Sequence, residues 1–102
     1  MKVKKEKKGK VLNVAINGEL NVKTAPQLND ELDGELDDVT EVCFDLEDCP
    51  YSSSAGLRVI LGAYQTMEEK GGCVILKNVN EILYNILEEV SFMDYMEVRM
   101  SD

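Results

Sequence analysis

A chain of 102 residues fits one compact domain, which buries about two-thirds of its unfolded surface without a metal or disulfide staple. Twenty acidic against eleven basic side chains leave a net charge of −9 and a pI near 4.4. That balance argues against direct nucleic-acid binding, because a polyanion is repelled, and the absence of histidine excludes imidazole bases, His-ligated metals and His phosphotransfer.

The charge is unevenly spread. Residues 1–10 hold six lysines and one glutamate, a net of +5, while the rest of the chain carries −14. This start is either a basic arm for an anionic partner or a lysine-rich edge strand. The shortness of the run favours the edge strand, since Lys keeps an exposed edge from pairing with another chain. Gly9 supplies a turn that folds Val3–Lys8 back onto Val11–Ile16. There Leu12, Val14 and Ile16 alternate with polar or small residues, the period of a half-buried strand, and Gly18 ends it. Thr24, Pro26 and Gln27 then open a helix, with Thr24 as cap, Gln27 completing a capping box and Pro26 in the first turn. Leu28, Leu32 and Leu36 recur along one face, and Gly34 weakens the end.

Val42–Leu46 is a short apolar run that predicts an interior strand, and a polar loop follows from Glu47 to Ser54. Leu57, Ile60, Leu61 and Tyr64 fall at helical spacing. Lys70 closes that helix, and Gly71-Gly72 supply a left-handed stop. Cys73–Leu76 predicts a second buried strand, and Asn78 with Glu81 offers another capping box. Ile82, Leu83, Ile86, Leu87 and Val90 form the stripe of a third helix, before a last strand at Met96, Val98 and Met100. Tyr95 and the nearby methionines suit either the core or a partner. The order β-β-α-β-α-β-α-β predicts an α/β fold with a mixed, mostly parallel β-sheet flanked by helices.

Cys43, Cys49 and Cys73 are odd in number and lack C-x-x-C spacing, so neither a disulfide framework nor a structural zinc site is expected. No signal peptide or apolar run of about 18 residues is present, so the expectation is a cytoplasmic protein with no membrane segment.

The unusual feature is Ser52-Ser53-Ser54-Ala55-Gly56-Leu57, between a strand and a helix. Such a loop lies at the carboxyl end of a sheet strand, where open α/β sheets place their sites. The helix start offers free N–H groups and a positive dipole end. Capping occupies one hydroxyl and leaves at least one free. Ser54-Ala55-Gly56 matches half of a G-x-S-x-G elbow, but Ser52 replaces the first glycine and no histidine can take the serine proton. No phosphate-binding loop is present. Asp30, Glu31 and Asp33 read as a solvated helix face. Asp45, Glu47 and Asp48 lack the glycine and distal glutamate of a calcium loop, and Asp45 suits bonding within its own loop. No catalytic residue, metal or cofactor is expected.

These residues carry a resemblance. Gly18 through Pro26 resembles the first conserved block of the STAS domain, found in sulfate transporters and anti-sigma factor antagonists. Phe44-Asp45-Leu46 and Tyr51 through Val59 resemble the second block, and Gly71-Gly72 through Lys77-Asn78-Val79 the third. The likeness spans residues 1–102 as a single STAS-like domain. It implies an anti-sigma factor antagonist whose phosphoacceptor aligns with Ser54. Its partners would be a serine-kinase anti-sigma factor, which binds the unphosphorylated state, and a serine phosphatase. The implied interface comprises Asn21, Ser52, Ser53, Ser54, Ala55 and Gly56. Many kinase-regulated members carry Asp where this chain has Asn21 and Ser53. The alternative is a STAS scaffold or ligand-sensing module that is never phosphorylated.

Overall fold

The computed structural model describes residues 1–101. Its elements are β1 (Lys2–Lys8), β2 (Val11–Asn17), α1 (Ala25–Leu32), β3 (Glu41–Asp48), α2 (Ser54–Glu69), β4 (Cys73–Val79), α3 (Glu81–Glu89), a 3-10 turn (Phe92–Asp94) and β5 (Glu97–Met100). The five strands lie in sequence order β1-β2-β3-β4-β5. β1 and β2 are antiparallel, and every later pair is parallel. Right-handed crossovers that always step in one direction must place their helices on one face of the sheet. The side chains agree. Leu12, Val42 and Val74 lie in register and inward, as do Val14, Phe44 and Leu76, and all are buried. The alternate row, with Asn13, Cys43 and Ile75 and then Ala15, Asp45 and Lys77, forms the open face.

One-sided cover corrects the expectation of buried runs in β3 and β4. Cys43 is buried, but Cys73 is exposed and Ile75 half-buried, because alternation continues beneath an apolar sequence. Burial pushes the Cys43 and Cys49 thiols up in pKa. Partial burial, assisted by the adjacent Glu41, does the same for Cys73.

The hairpin at Gly9 forms as expected, with φ +60 at that glycine and Lys8 opposite Val11. On the helix side of β1, the Lys5 amine reaches the Glu31 carboxylate at 3.2 Å and Lys7 reaches Asp38 at 2.7 Å. These bonds raise the pKa of both lysines and lower that of Asp38. The strand edge is thus pinned to the segment around α1.

Helix ends depart from expectation at several points. α1 stops at Leu32, so Leu36 packs against the core from beyond the helix, and Gly34 adopts φ +77. Asn80, not Asn78, caps α3 by accepting from the Leu83 amide at 2.8 Å. Asn78 belongs to β4, takes φ +57 and donates its side-chain amide to Asp45. Another, at Thr24, belongs to the site. The expected stop after α2 is present. The Gly72 and Gly71 amides donate to the Met67 and Glu68 carbonyls, and Gly71 is left-handed, as a Schellman motif requires. The Lys70 amine donates to the carbonyls of Leu36, Asp37 and Val39, tying the end of α2 to the turn before β3.

Candidate functional site

Two loops at the carboxyl ends of β2 and β3 are joined by backbone bonds. The Gly18 amide donates to Asp48 O at 3.0 Å, Leu20 N to Tyr51 O at 3.0 Å, and Ser53 N to Leu20 O at 2.8 Å. Leu20 and Ser52 form a parallel bridge, and both are buried. The sheet register thus continues past β2 and β3 into the loops, and it decides where each serine points.

The three serines have three environments. Ser52 is 2% exposed, and its hydroxyl donates to the Ser53 carbonyl. Ser53 is the N-cap residue of α2 in extended geometry, yet its side chain makes no cap bond and its Oγ is buried without a partner among the described residues. Ser54 is the first residue of α2 and is exposed. The expected capping hydroxyl is therefore absent. The bond from the Ser53 amide to Leu20 holds that residue in place, and its hydroxyl faces inward rather than toward the helix amides.

Gly56 makes this packing possible. A Cβ there would lie 2.4 Å from Ser52 Oγ and 2.6 Å from Leu20 Cβ, so the first turn of α2 sits directly on the bridged loops. Ala55, half-buried beside it, adds little bulk next to Ser54.

Asn21 follows the bridge directly. Its Oδ1 accepts from the Lys23 amide at 2.9 Å and the Thr24 amide at 3.1 Å, an Asx-type turn. Thr24 does not cap α1. Its hydroxyl accepts from the Asn21 amide and donates to the Glu19 carbonyl, closing the loop, and Gln27 donates to the Met1 carbonyl instead of completing a capping box. Local spacing suggested a cap, but the bridge places Thr24 within its own loop.

A third loop joins this end of the molecule, where the Asn80 side-chain amide donates to Pro50 O at 3.1 Å. On these three segments stand exposed apolar side chains: Val22 at 75%, Tyr51 at 41% and Ile82 at 66%. A shallow depression between α1 and α2, lined by Val22, Pro26, Ala55, Arg58 and Val59, adjoins Ser54. Arg58 is exposed one helical turn beyond Ser54, hence on the same side of α2. Sequence reasoning gave no site role to Val22, Tyr51 or Arg58. It placed Ile82 and Val90 on the apolar stripe of α3, whereas only Leu83 and Leu87 of that stripe are fully buried and Ile82 and Val90 are exposed. The available signal was an isolated apolar residue in an otherwise polar loop, as at Val22.

The carboxylate groups do other work. Glu31 pairs with Lys5, while Asp30 and Asp33 are exposed. Asp45 accepts from the nearby Glu47 amide, as expected, but it stands in β3 rather than in a loop and also accepts from Asn78 of β4. Among the described residues no cluster of His, Cys, Asp and Glu is arranged to hold a metal ion, and no helix is long and apolar enough to cross a membrane.

Fold and site together define a small α/β module with helices on one sheet face and an exposed serine at the tip of bridged loops. The chain belongs to the STAS domain family, which it matches over residues 2–101. It is 28% identical over 87 residues to the anti-sigma-B factor antagonist of Bacillus subtilis (strain 168), covering 85% of this chain and 80% of that protein. It is 27% identical over 90 residues to the anti-sigma F factor antagonist of Paenibacillus polymyxa, covering 86% and 77%. Among solved structures, the anti-sigma factor antagonist SpoIIAA in its unphosphorylated form shares the fold with a TM-score of 0.77, at 17% identity over 99% of this chain and 89% of that one. An anti-sigma factor antagonist from Mycobacterium paratuberculosis gives 0.84, at 17% identity over 96% and 84%.

Proposed function

We propose that this chain is an anti-sigma factor antagonist that binds a serine-kinase anti-sigma factor through its bridged loops and is released when Ser54 is phosphorylated. The observation that carries this reading is the division of the serine run. Ser52 and the Ser53 hydroxyl are buried, whereas Ser54 is exposed at the start of a 16-residue helix. The names of the relatives support the partner class.

The physical chemistry of the switch is local. A phosphoryl group adds about −1.5 to −2 charge and three acceptor oxygens. At a helix N-terminus that charge is favourable by roughly 0.3–1 kcal/mol, so the fold tolerates it. Val22, Tyr51 and Ile82 give the surrounding surface an apolar character that a closely packed partner buries. Covering a doubly charged phosphate in such an interface costs several kcal/mol unless it is paired, which is enough to release the partner. A serine phosphatase restores the hydroxyl. The cycle belongs to the cytoplasm, where ATP supplies the phosphoryl group.

The test is incubation with the cognate serine-kinase anti-sigma factor and ATP, read by intact-mass spectrometry. One phosphate is expected on wild type, Ser52→Ala and Ser53→Ala, and none on Ser54→Ala. Equal modification of Ser54→Ala refutes the assignment. Ser54→Asp should keep the wild-type melting profile and bind the kinase more weakly, and unchanged affinity would sink the interface argument.

A further inference from the structure

The two edges of the sheet differ in kind. β1 carries five lysines in seven residues, which repels a second copy of itself. β5, Glu97–Met100, has no strand on its outer side among the described residues and only one residue of each charge sign. We propose that β5 is the interface of a two-fold symmetric dimer, formed by antiparallel pairing of β5 with β5 of a second copy.

The backbone is set for it. The Ser101 amide donates inward to Val79 O at 2.9 Å. Strand alternation therefore turns the backbone groups of Glu97 and Arg99 inward and those of Val98 and Met100 outward. With the two-fold axis at Val98, each Val98 exchanges both backbone bonds with Val98 of the second copy. In that register Glu97 falls opposite Arg99 of the second copy, and Arg99 opposite its Glu97. Glu97 lies in register with Ile75 on the open face, and Arg99 shares that face two residues on, so the opposed charges meet on one side of the joined sheets. In the single chain these two side chains pair only with each other along the strand, at the exposed surface.

One exposed apolar side chain, Met100, lies in β5 itself; Val90 and Tyr95, also exposed, precede the strand, and the Tyr95 ring packs against Tyr64 of α2. In this register Met100 falls opposite Met96 of the second copy, but Met96 is buried in its own core and its amide already donates to Phe92 O, so apolar contact on the helix side comes from Met100 alone. The strand is short, so the interface is small and the dimer weak and concentration-dependent. Ser54 lies beyond β3, two strands from this edge, so pairing leaves the serine loop open.

Sedimentation equilibrium of the full chain at physiological ionic strength tests the pairing, using wild type, Glu97→Arg, Arg99→Glu and the double swap. Each single reversal sets like charges opposite each other twice per dimer and should weaken association by about tenfold or more. The double swap restores opposite charges and should return to within about threefold of wild type. Circular dichroism and melting of each variant separate weakened pairing from misfolding. The proposal is overturned if wild type stays monomeric up to about 1 mM, or if either folded single variant associates as tightly as wild type. A monomeric wild type whose kinase binding is lost in Arg99→Glu also overturns it, because the edge then serves the kinase. Ser54→Asp should dimerise like wild type, so failure of the phosphoswitch leaves this test independent.

Discussion

The same substitution at two positions of α2 should act with opposite sign. Gly56 and Gly62 both lie inside the helix Ser54–Glu69. In an open helical position Gly→Ala stabilises by about 0.8–1 kcal/mol, because alanine loses less backbone entropy. Gly62 is such a position: nothing lies within 4 Å of the Cβ it would gain. At Gly56 the new methyl would stand 2.4 Å from Ser52 Oγ and 2.6 Å from Leu20 Cβ, and neither neighbour is free to move. Leu20 is fully buried, and Ser52 is held beside it in the parallel bridge. Overpacking of this kind costs about 1–3 kcal/mol, which outweighs the propensity gain. Gly62→Ala should thus gain up to ~1 kcal/mol and Gly56→Ala show a net loss of up to roughly 2 kcal/mol. Urea denaturation followed by far-UV circular dichroism measures both, with the midpoint shifting up for one and down for the other. If Gly56→Ala matches or exceeds wild-type stability, the close seating of α2 on the bridged loops is wrong, and so is the account of why only Ser54 faces outward.

Two further predictions compare like with like. Asn80 and Ser53 are both N-cap residues, but only Asn80 accepts a helix amide. Asn80→Ala should cost about 1 kcal/mol. Ser53→Ala removes an unpartnered buried hydroxyl and should cost less than about 0.5 kcal/mol, or stabilise; equal losses in urea unfolding would contradict the assigned geometry. For the thiols, iodoacetamide at neutral pH should label only Cys73 in the folded protein, since Cys43 and Cys49 are buried. The reaction should run slower than with a free small thiol, because burial and Glu41 raise the Cys73 pKa and thin its thiolate. Labelling that persists in Cys73→Ser would show one of the buried thiols to be accessible.

Much of the architecture was legible from local pattern. Alternation at Leu12, Val14 and Ile16, and the helical spacing from Leu57 to Tyr64, report burial that repeats with the backbone's own period, so short windows suffice. The glycine stop after α2 was legible too, although its two glycines serve different needs. Gly71 takes φ +74, while Gly72 lies so close to the Thr40 carbonyl that a Cβ would be 1.9 Å away. Caps were misread where a distant group claimed the residue. Asn78 had the composition of a cap, but it extends β4 and bonds Asp45, 33 positions away in sequence. Cys73 sat in an apolar run, and only one-sided cover of the sheet left it exposed.

The sequence by itself determined the order of elements, the missing histidine that leaves the serine loop without a general base, and the run Ser52-Ser53-Ser54 as the place to look. It ranked these serines only by family alignment, since three identical side chains in a row carry no local signal that distinguishes them. Tertiary structure made the distinction. The Leu20–Ser52 bridge carries the sheet register into the loop, and Gly56 lets α2 close over it. Two serine hydroxyls are buried by that packing and the third faces solvent at the head of the helix. Which hydroxyl is exposed depends on contacts between residues 20, 52 and 56, two of them more than thirty positions from the third, and no short window of sequence contains all three.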